Sequence, residues 1–134
     1  VKLLTGSLLP AQYYHKVQKL RSLLRNQVAD ALGRFDVLIS PTMRIPAPRS
    51  KPYSMPESKE DSMNLLVKGP DQTPMVPLSN LPAISVPCGF SGEESGGMPI
   101  GLQIIGKPFQ ETKILNAAYA YEQHTDWHTR RAPI

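Results

Sequence analysis

Two short aliphatic segments bracketed by prolines place the strongest constraint on the fold of this chain. Residues 83–86 and 100–105 are rich in isoleucine, valine and leucine, and a glycine-rich connection joins them. Proline has no backbone donor for a sheet ladder, so Pro82, Pro87 and Pro99 mark the ends of these segments. The pattern predicts two neighbouring antiparallel strands, which the rest of the chain must cover.

Helical periodicity occurs on both sides of this strand pair. Apolar residues recur three and four positions apart over residues 11–32, which predicts an amphipathic helix with Pro10 in its first turn. Gly33 suits the left-handed residue that closes such a helix. A second helix is predicted over residues 111–125, and a short one over residues 62–68.

A third strand is predicted over residues 35–40, and its aliphatic character indicates that it is buried. A proline-rich loop follows over residues 43–56. Strands that alternate with helices are typical of an α/β layer whose sheet is covered on both faces. Because three strands leave unpaired edges, we expect further strands beside them, or self-association through those edges.

Composition narrows the class of protein. The single cysteine, Cys88, cannot form an internal disulfide, so a reducing compartment is expected, by default the cytoplasm. The net charge of +4 comes from scattered basic residues, which does not favour nucleic-acid binding, and no apolar run reaches the roughly 18 residues of a membrane helix. The chain starts at Val1 rather than at a methionine, and we expect that sequence precedes it.

Three separate segments share a pattern with one enzyme family. They are DVLISPT at residues 36–42, LPAISVPCG at residues 81–89 and PIGLQIIGKPF at residues 99–109. In order and spacing they resemble the amidase signature family, which includes bacterial amidases and the A subunit of glutamyl-tRNA amidotransferase. The resemblance implies a partial mixed β-sheet covered by helices, with residues 1–134 as the C-terminal portion of a single amidase domain.

The resemblance also implies a mechanism. Family members hydrolyse amide C–N bonds, or transfer amide nitrogen, with a lysine base, a relaying serine and a nucleophilic serine, and need no metal or cofactor. By resemblance this triad lies upstream of Val1, so no catalytic residue is assigned in this chain. We expect the isolated chain to be inactive, with the N-terminal catalytic part as its partner and a small amide as substrate. The alternative is a non-catalytic module or subunit that docks another chain.

Although no catalytic residue is assigned in this chain, it contains candidate substrate-binding residues. The resemblance implies an arginine near the start, where this chain has a lysine, and an acidic residue in the connection between the two strands. Lys2, Glu93 and Glu94 lie near these places, and such a pair would bind the carboxylate and the ammonium group of glutamine.

Other candidate sites have simpler explanations. Cys88 with His124 or His128 could form a thiol nucleophile and base, but a lone cysteine at a strand end usually packs as a small apolar residue. The serine- and glycine-rich segment at residues 91–97 suits a turn, and its two carboxylates would disfavour an oxyanion. The histidines show no metal-ligand spacing.

Overall fold

The computed structural model describes residues 6–46, 58, 72–93 and 97–131. Its elements, in chain order, are α1 (Ala11–Arg34), β1 (Leu38–Pro41), α2 (Met75–Ser79), β2 (Ala83–Phe90), β3 (Pro99–Ile105), α3 (Glu111–Gln123) and a 3₁₀ turn (Trp127–Thr129). The predicted helix over residues 62–68, most of the proline-rich loop, Lys2 and Glu94 lie outside the described residues.

The three strands form one sheet in the order β1-β3-β2, and both pairings are antiparallel. The predicted antiparallel pair of β2 and β3 is therefore confirmed. A mixed sheet was expected, but no parallel pair occurs among the described strands. For β2 and β3 the physical reason is the short connection between them, which allows a hairpin and not a crossover.

Strand β2 is longer than predicted. It continues through Pro87 to Phe90, with a register shift between Pro87 and Gly89 that leaves Cys88 as the extra residue of a bulge. Gly89 has a φ of 152°, which favours glycine at this position. Proline is tolerated here because β2 is an edge strand of the described sheet.

Strand β1 is the other edge strand, and the prediction that it is buried is wrong. Its residues alternate between half-buried and exposed, and Ile39 keeps 66% of its surface accessible. An edge strand has a neighbour on one side only, and in the described part of the chain the side chain of Ile39 is left largely uncovered. The aliphatic run therefore indicated a strand but not its depth.

The core lies between the sheet and α3. Val86, Ile104, Ile114 and Ala118 are buried together there, and Tyr121 packs against them. Gly106 makes the close approach of α3 possible, because a Cβ at this position would lie 2.5 Å from the Cγ2 atom of Ile114. The helix predicted over residues 111–125 is confirmed as α3, which ends two residues earlier at Gln123. Ile114 and Ala118 are buried on it, whereas Leu115 is 55% exposed.

Helix α1 occurs where it was predicted but differs at its end. Gly33 lies inside the helix rather than after it, and Phe35 ends the helix in an extended conformation that leads directly into β1. No left-handed residue is needed at such an exit. Only Val28 and Leu32 are buried on α1, whereas Val17 and Leu20 remain more than half exposed. Within the described ranges, none of the helices combines the length and the apolar character that crossing a membrane requires.

Candidate functional site

The sheet has a polar row on the face opposite the core. Ser40, Gln103 and Ser85 are direct neighbours across the three strands. Since successive side chains of a strand point to opposite faces, this row lies on the other side from Ile104. Gln103 is 6% exposed, which makes it a buried polar residue on a face that a purely structural sheet would fill with apolar side chains.

This row borders a cleft of about 650 Å³. Its wall consists of residues from the start of β2, the middle of β3, the end of β1 and the region of α2: Thr42, Thr73, Pro74, Val76, Pro77, Ala83, Ile84, Ser85 and Gln103. None of the nine carries a formal charge. The volume lies within the range of about 300–1,000 Å³ that small-molecule sites occupy.

Hydroxyl groups form hydrogen bonds in the polar row and in the cleft. Ser40 Oγ donates a hydrogen bond to Gln103 Oε1 at 3.4 Å. Thr42 Oγ1 and Ser85 Oγ share a hydrogen bond of 2.5 Å, in which either oxygen can be the donor. Gly101 lies beneath this pair, since a Cβ there would be 2.7 Å from Thr42 Oγ1 and 2.8 Å from Ser85 Oγ.

Arg21 holds the α2 wall of the cleft in place. From α1, its Nε donates to the backbone oxygen of Leu78 at 2.8 Å, and its Nη2 donates to Asn80 Oδ1. Asn80 ends α2 in the left-handed conformation, with a φ of 54° that asparagine tolerates better than most residues. A five-residue helix has little stability by itself, so these contacts fix its position.

The predicted substrate-binding residues lie elsewhere or cannot be located. Glu93 is exposed in the connection between β2 and β3. Ser85 and Phe90 are separated by about 17 Å of extended strand, so Glu93 lies at the far end of the hairpin from the cleft. Lys2 and Glu94 fall outside the described residues. Of the three, only Glu93 is described, and it does not line the cleft.

The thiol and the histidines show no catalytic arrangement in the described part of the chain. Burial raises the pKa of Cys88, which disfavours the reactive thiolate. The ring nitrogen Nδ1 of His124 lies 2.8 Å from the backbone oxygen of Ala120, and His128 is exposed in the 3₁₀ turn. Across residues 6–46, 58, 72–93 and 97–131, no three His, Cys, Asp or Glu side chains cluster closely enough to hold a metal ion.

Sequence reasoning missed the polar row, although a signal for it was present. Ser85 and Gln103 interrupt two aliphatic runs, and a polar residue inside such a run marks a face that is not core. The contribution of Thr42 could not be recognised in this way, because it is 43 residues from Ser85 in sequence and joins it only through the sheet.

Curated relatives share this sequence closely over a limited length. The chain is 43% identical over 122 residues to the A subunit of glutamyl-tRNA(Gln) amidotransferase from Methanosarcina barkeri, which aligns 91% of this chain with 24% of the relative. The corresponding A subunits from a Synechococcus strain and from Bacillus mycoides are 44% and 42% identical, again over 91% of this chain and over 22% and 23% of their own lengths. The chain thus spans about a quarter of these relatives.

Solved structures share the fold. The native peptide amidase of Stenotrophomonas maltophilia matches with a TM-score of 0.56 and 27% identity, over 87% of this chain and 21% of the amidase. A crystal structure described as an amidase matches with a TM-score of 0.66 and 24% identity, over 91% of this chain and 27% of its own. The expected α/β fragment of an amidase fold is therefore confirmed. The family model described as Amidase matches residues 3–115, and the chain belongs to that family.

Proposed function

We propose that the protein containing this chain is a serine amidase, and that this chain supplies part of its sheet and one wall of its substrate cleft. The match of residues 3–115 to the amidase family is the observation that carries the proposal. The reaction is hydrolysis of an amide C–N bond or transfer of its nitrogen. The names of the curated relatives support transfer to a glutamyl-tRNA as one form of this activity.

The chemistry of amide hydrolysis indicates which groups this chain supplies and which lie elsewhere in the protein. A serine attacks an amide carbonyl efficiently only when a base accepts its proton and donors stabilise the oxyanion. We assign the nucleophile, the relaying serine and the lysine to sequence outside this chain, which spans 22–24% of its curated relatives. The cleft, whose nine described lining residues are uncharged, then forms a surface against which a small neutral substrate can lie.

A second part of the proposal concerns charged substrates. Lys2 with Glu93 or Glu94 would bind the carboxylate and the ammonium group of glutamine, the amide donor that we propose for a transferase. Glu93 is exposed and therefore accessible to such a ligand. Replacing Glu93 and Glu94 by glutamine in the full-length protein is expected to raise the KM for glutamine by about fivefold or more and to leave the KM for acetamide within about twofold.

The experiment that tests the function measures ammonia release. The full-length protein and a protein limited to residues 1–134 are incubated with glutamine and with a panel of simple amides. We expect turnover by the full-length protein and none by residues 1–134. Turnover by the pure 134-residue protein would refute the assignment of the catalytic groups, and a full-length protein that hydrolyses none of these amides would refute the amidase function.

We also propose a cytoplasmic location, which the free thiol of Cys88 supports because thiols persist in reducing compartments. Cell fractionation followed by immunodetection of the full-length protein tests this proposal. Recovery in an extracellular or periplasmic fraction would contradict it.

The exposed side of α1 supports a second candidate function, in which the chain is a non-catalytic module that docks another polypeptide. Tyr13, Val17, Leu20 and Leu23 keep 53–57% of their surfaces accessible, which is unusual for apolar side chains on one helix. If this function is correct, the 134-residue protein binds a partner or itself. Light scattering then shows an assembly that Leu20→Glu dissociates, and the full-length protein lacks amidase activity.

A further inference from the structure

The hydroxyl pair of Thr42 and Ser85 joins the two outer strands across the central one. Thr42 follows β1 and its backbone N–H donates to the oxygen of Gly101 at 2.8 Å, whereas Ser85 lies in β2. Neighbouring strands are about 4.8 Å apart, so the two outer strands are separated by about twice that distance. The side chains can meet only because the residue between them, Gly101, has no Cβ.

The hydrogen bond between Thr42 and Ser85 does not use all the donors and acceptors of the two hydroxyls. In a pair of hydroxyls, one donates its hydrogen to the other, and the accepting hydroxyl keeps its own hydrogen for a further partner. Both oxygens also retain lone pairs. Because Thr42 and Ser85 both line the cleft, the pair offers one donor and adjacent acceptors to whatever occupies it.

The chemistry of the cleft selects the kind of group that fits. None of the nine described lining residues has a charged side chain, so an ammonium or a carboxylate would find no ionic partner among them. A carboxamide is neutral and carries an acceptor oxygen beside donor N–H groups, which complements a donor beside an acceptor. The prolines, Val76 and Ile84 supply apolar surface for the carbon skeleton.

We propose that the Thr42–Ser85 hydroxyl pair is a subsite that binds a carboxamide group of the substrate. This inference rests on the proposed amidase function for its biological meaning, but the binding itself does not require turnover. Gln103 borders the subsite, and its side-chain oxygen is oriented by the hydrogen bond from Ser40. Gly101 is the residue that makes the pair possible.

The test measures binding of benzamide to the full-length protein by ligand-observed NMR, together with the KM and kcat for its hydrolysis. Thr42→Val keeps the shape of the side chain and removes its hydroxyl, and Ser85→Ala removes the other one. Each is expected to weaken benzamide binding about 5- to 10-fold, as for the loss of one or two neutral hydrogen bonds, with kcat within about twofold. Thr42→Ser is expected to restore the affinity.

A matched control and the possible outcomes keep this inference separate from the proposed function. Thr129→Val removes a threonine hydroxyl that donates to the backbone oxygen of Asp126, away from the cleft, and should leave binding unchanged. Unchanged binding in both folded cleft variants, or no benzamide binding by the unaltered protein, overturns the subsite. Hydrolysis of the other amides in the same samples decides the amidase function independently.

Discussion

Replacing Gly101 by alanine tests how tightly the cleft is built. The added Cβ would lie 2.7 Å from Thr42 Oγ1, 2.8 Å from Ser85 Oγ and 3.1 Å from Thr42 Cβ. Gly101 is not among the residues with positive φ, so the backbone can accept alanine and the cost is steric. Thr42 cannot easily move away from the added Cβ, because its backbone N–H donates a hydrogen bond to the backbone oxygen of Gly101. Overpacking of this kind lowers the free energy of unfolding by about 1–3 kcal/mol.

The assay is urea unfolding of the full-length protein, arranged as a mutant cycle. In a Thr42→Ala, Ser85→Ala background the two closest atoms are gone, so we expect Gly101→Ala to cost less than about 1 kcal/mol. Gly92→Ala is the control, because no atom lies within 4 Å of a Cβ at that position. An equal loss of stability in both backgrounds would show that the hydroxyl pair is not what excludes the Cβ.

Three further predictions concern sites away from the cleft. Gly33→Ala should raise the free energy of unfolding by about 0.5–1 kcal/mol, because Gly33 lies inside α1 with open space around it; a loss of stability in thermal unfolding would contradict this. Lys113 donates a hydrogen bond to Asp36 and lowers the pKa of that carboxyl, so Lys113→Met should raise the pKa measured by NMR titration. The stability that this pair contributes is present above the unfolded pKa of Asp36 and is lost as the pH falls through the lowered folded value, and an unchanged titration in the variant would refute the assignment. Burial raises the pKa of Cys88, so its reaction with iodoacetamide should be slow at pH 7 and should accelerate at higher pH, and Cys88→Ala should retain any amidase activity of the full-length protein.

Local sequence patterns predicted helices and strands well where the spacing of apolar residues or the position of prolines determines the element. The hairpin of β2 and β3 follows from aliphatic runs that prolines bracket, and α3 follows from the spacing of Ile114 and Ala118. The same reasoning failed at Gly33, because the end of α1 depends on how soon the chain must extend into β1. A glycine near a helix end permits a left-handed residue but does not require one.

The burial of the strand residues and the candidate site both depend on the order of the strands in the sheet. Local sequence patterns do not reveal this order. Ile39 and Ile104 look alike as members of aliphatic runs, yet Ile104 is 3% exposed in the central strand and Ile39 is 66% exposed at an edge. The Thr42–Ser85 pair likewise exists only once β3 separates the two outer strands. Pairing register, rather than composition, creates the cleft.

The prolines of the two outer strands limit how this sheet can grow. The N–H of Thr42 and the backbone oxygen of Pro82 both form hydrogen bonds on the β3 side. Because the backbone polar groups of successive strand residues face opposite sides, the nitrogens of Pro41 and Pro87 face away from β3. An additional strand would need hydrogen-bond donors there, and proline has none. An added strand could form an unbroken ladder only with the residues before each proline. New pairing is thereby steered toward the end of the sheet where Leu38, Ile105 and Ala83 are aligned, away from the hairpin connection.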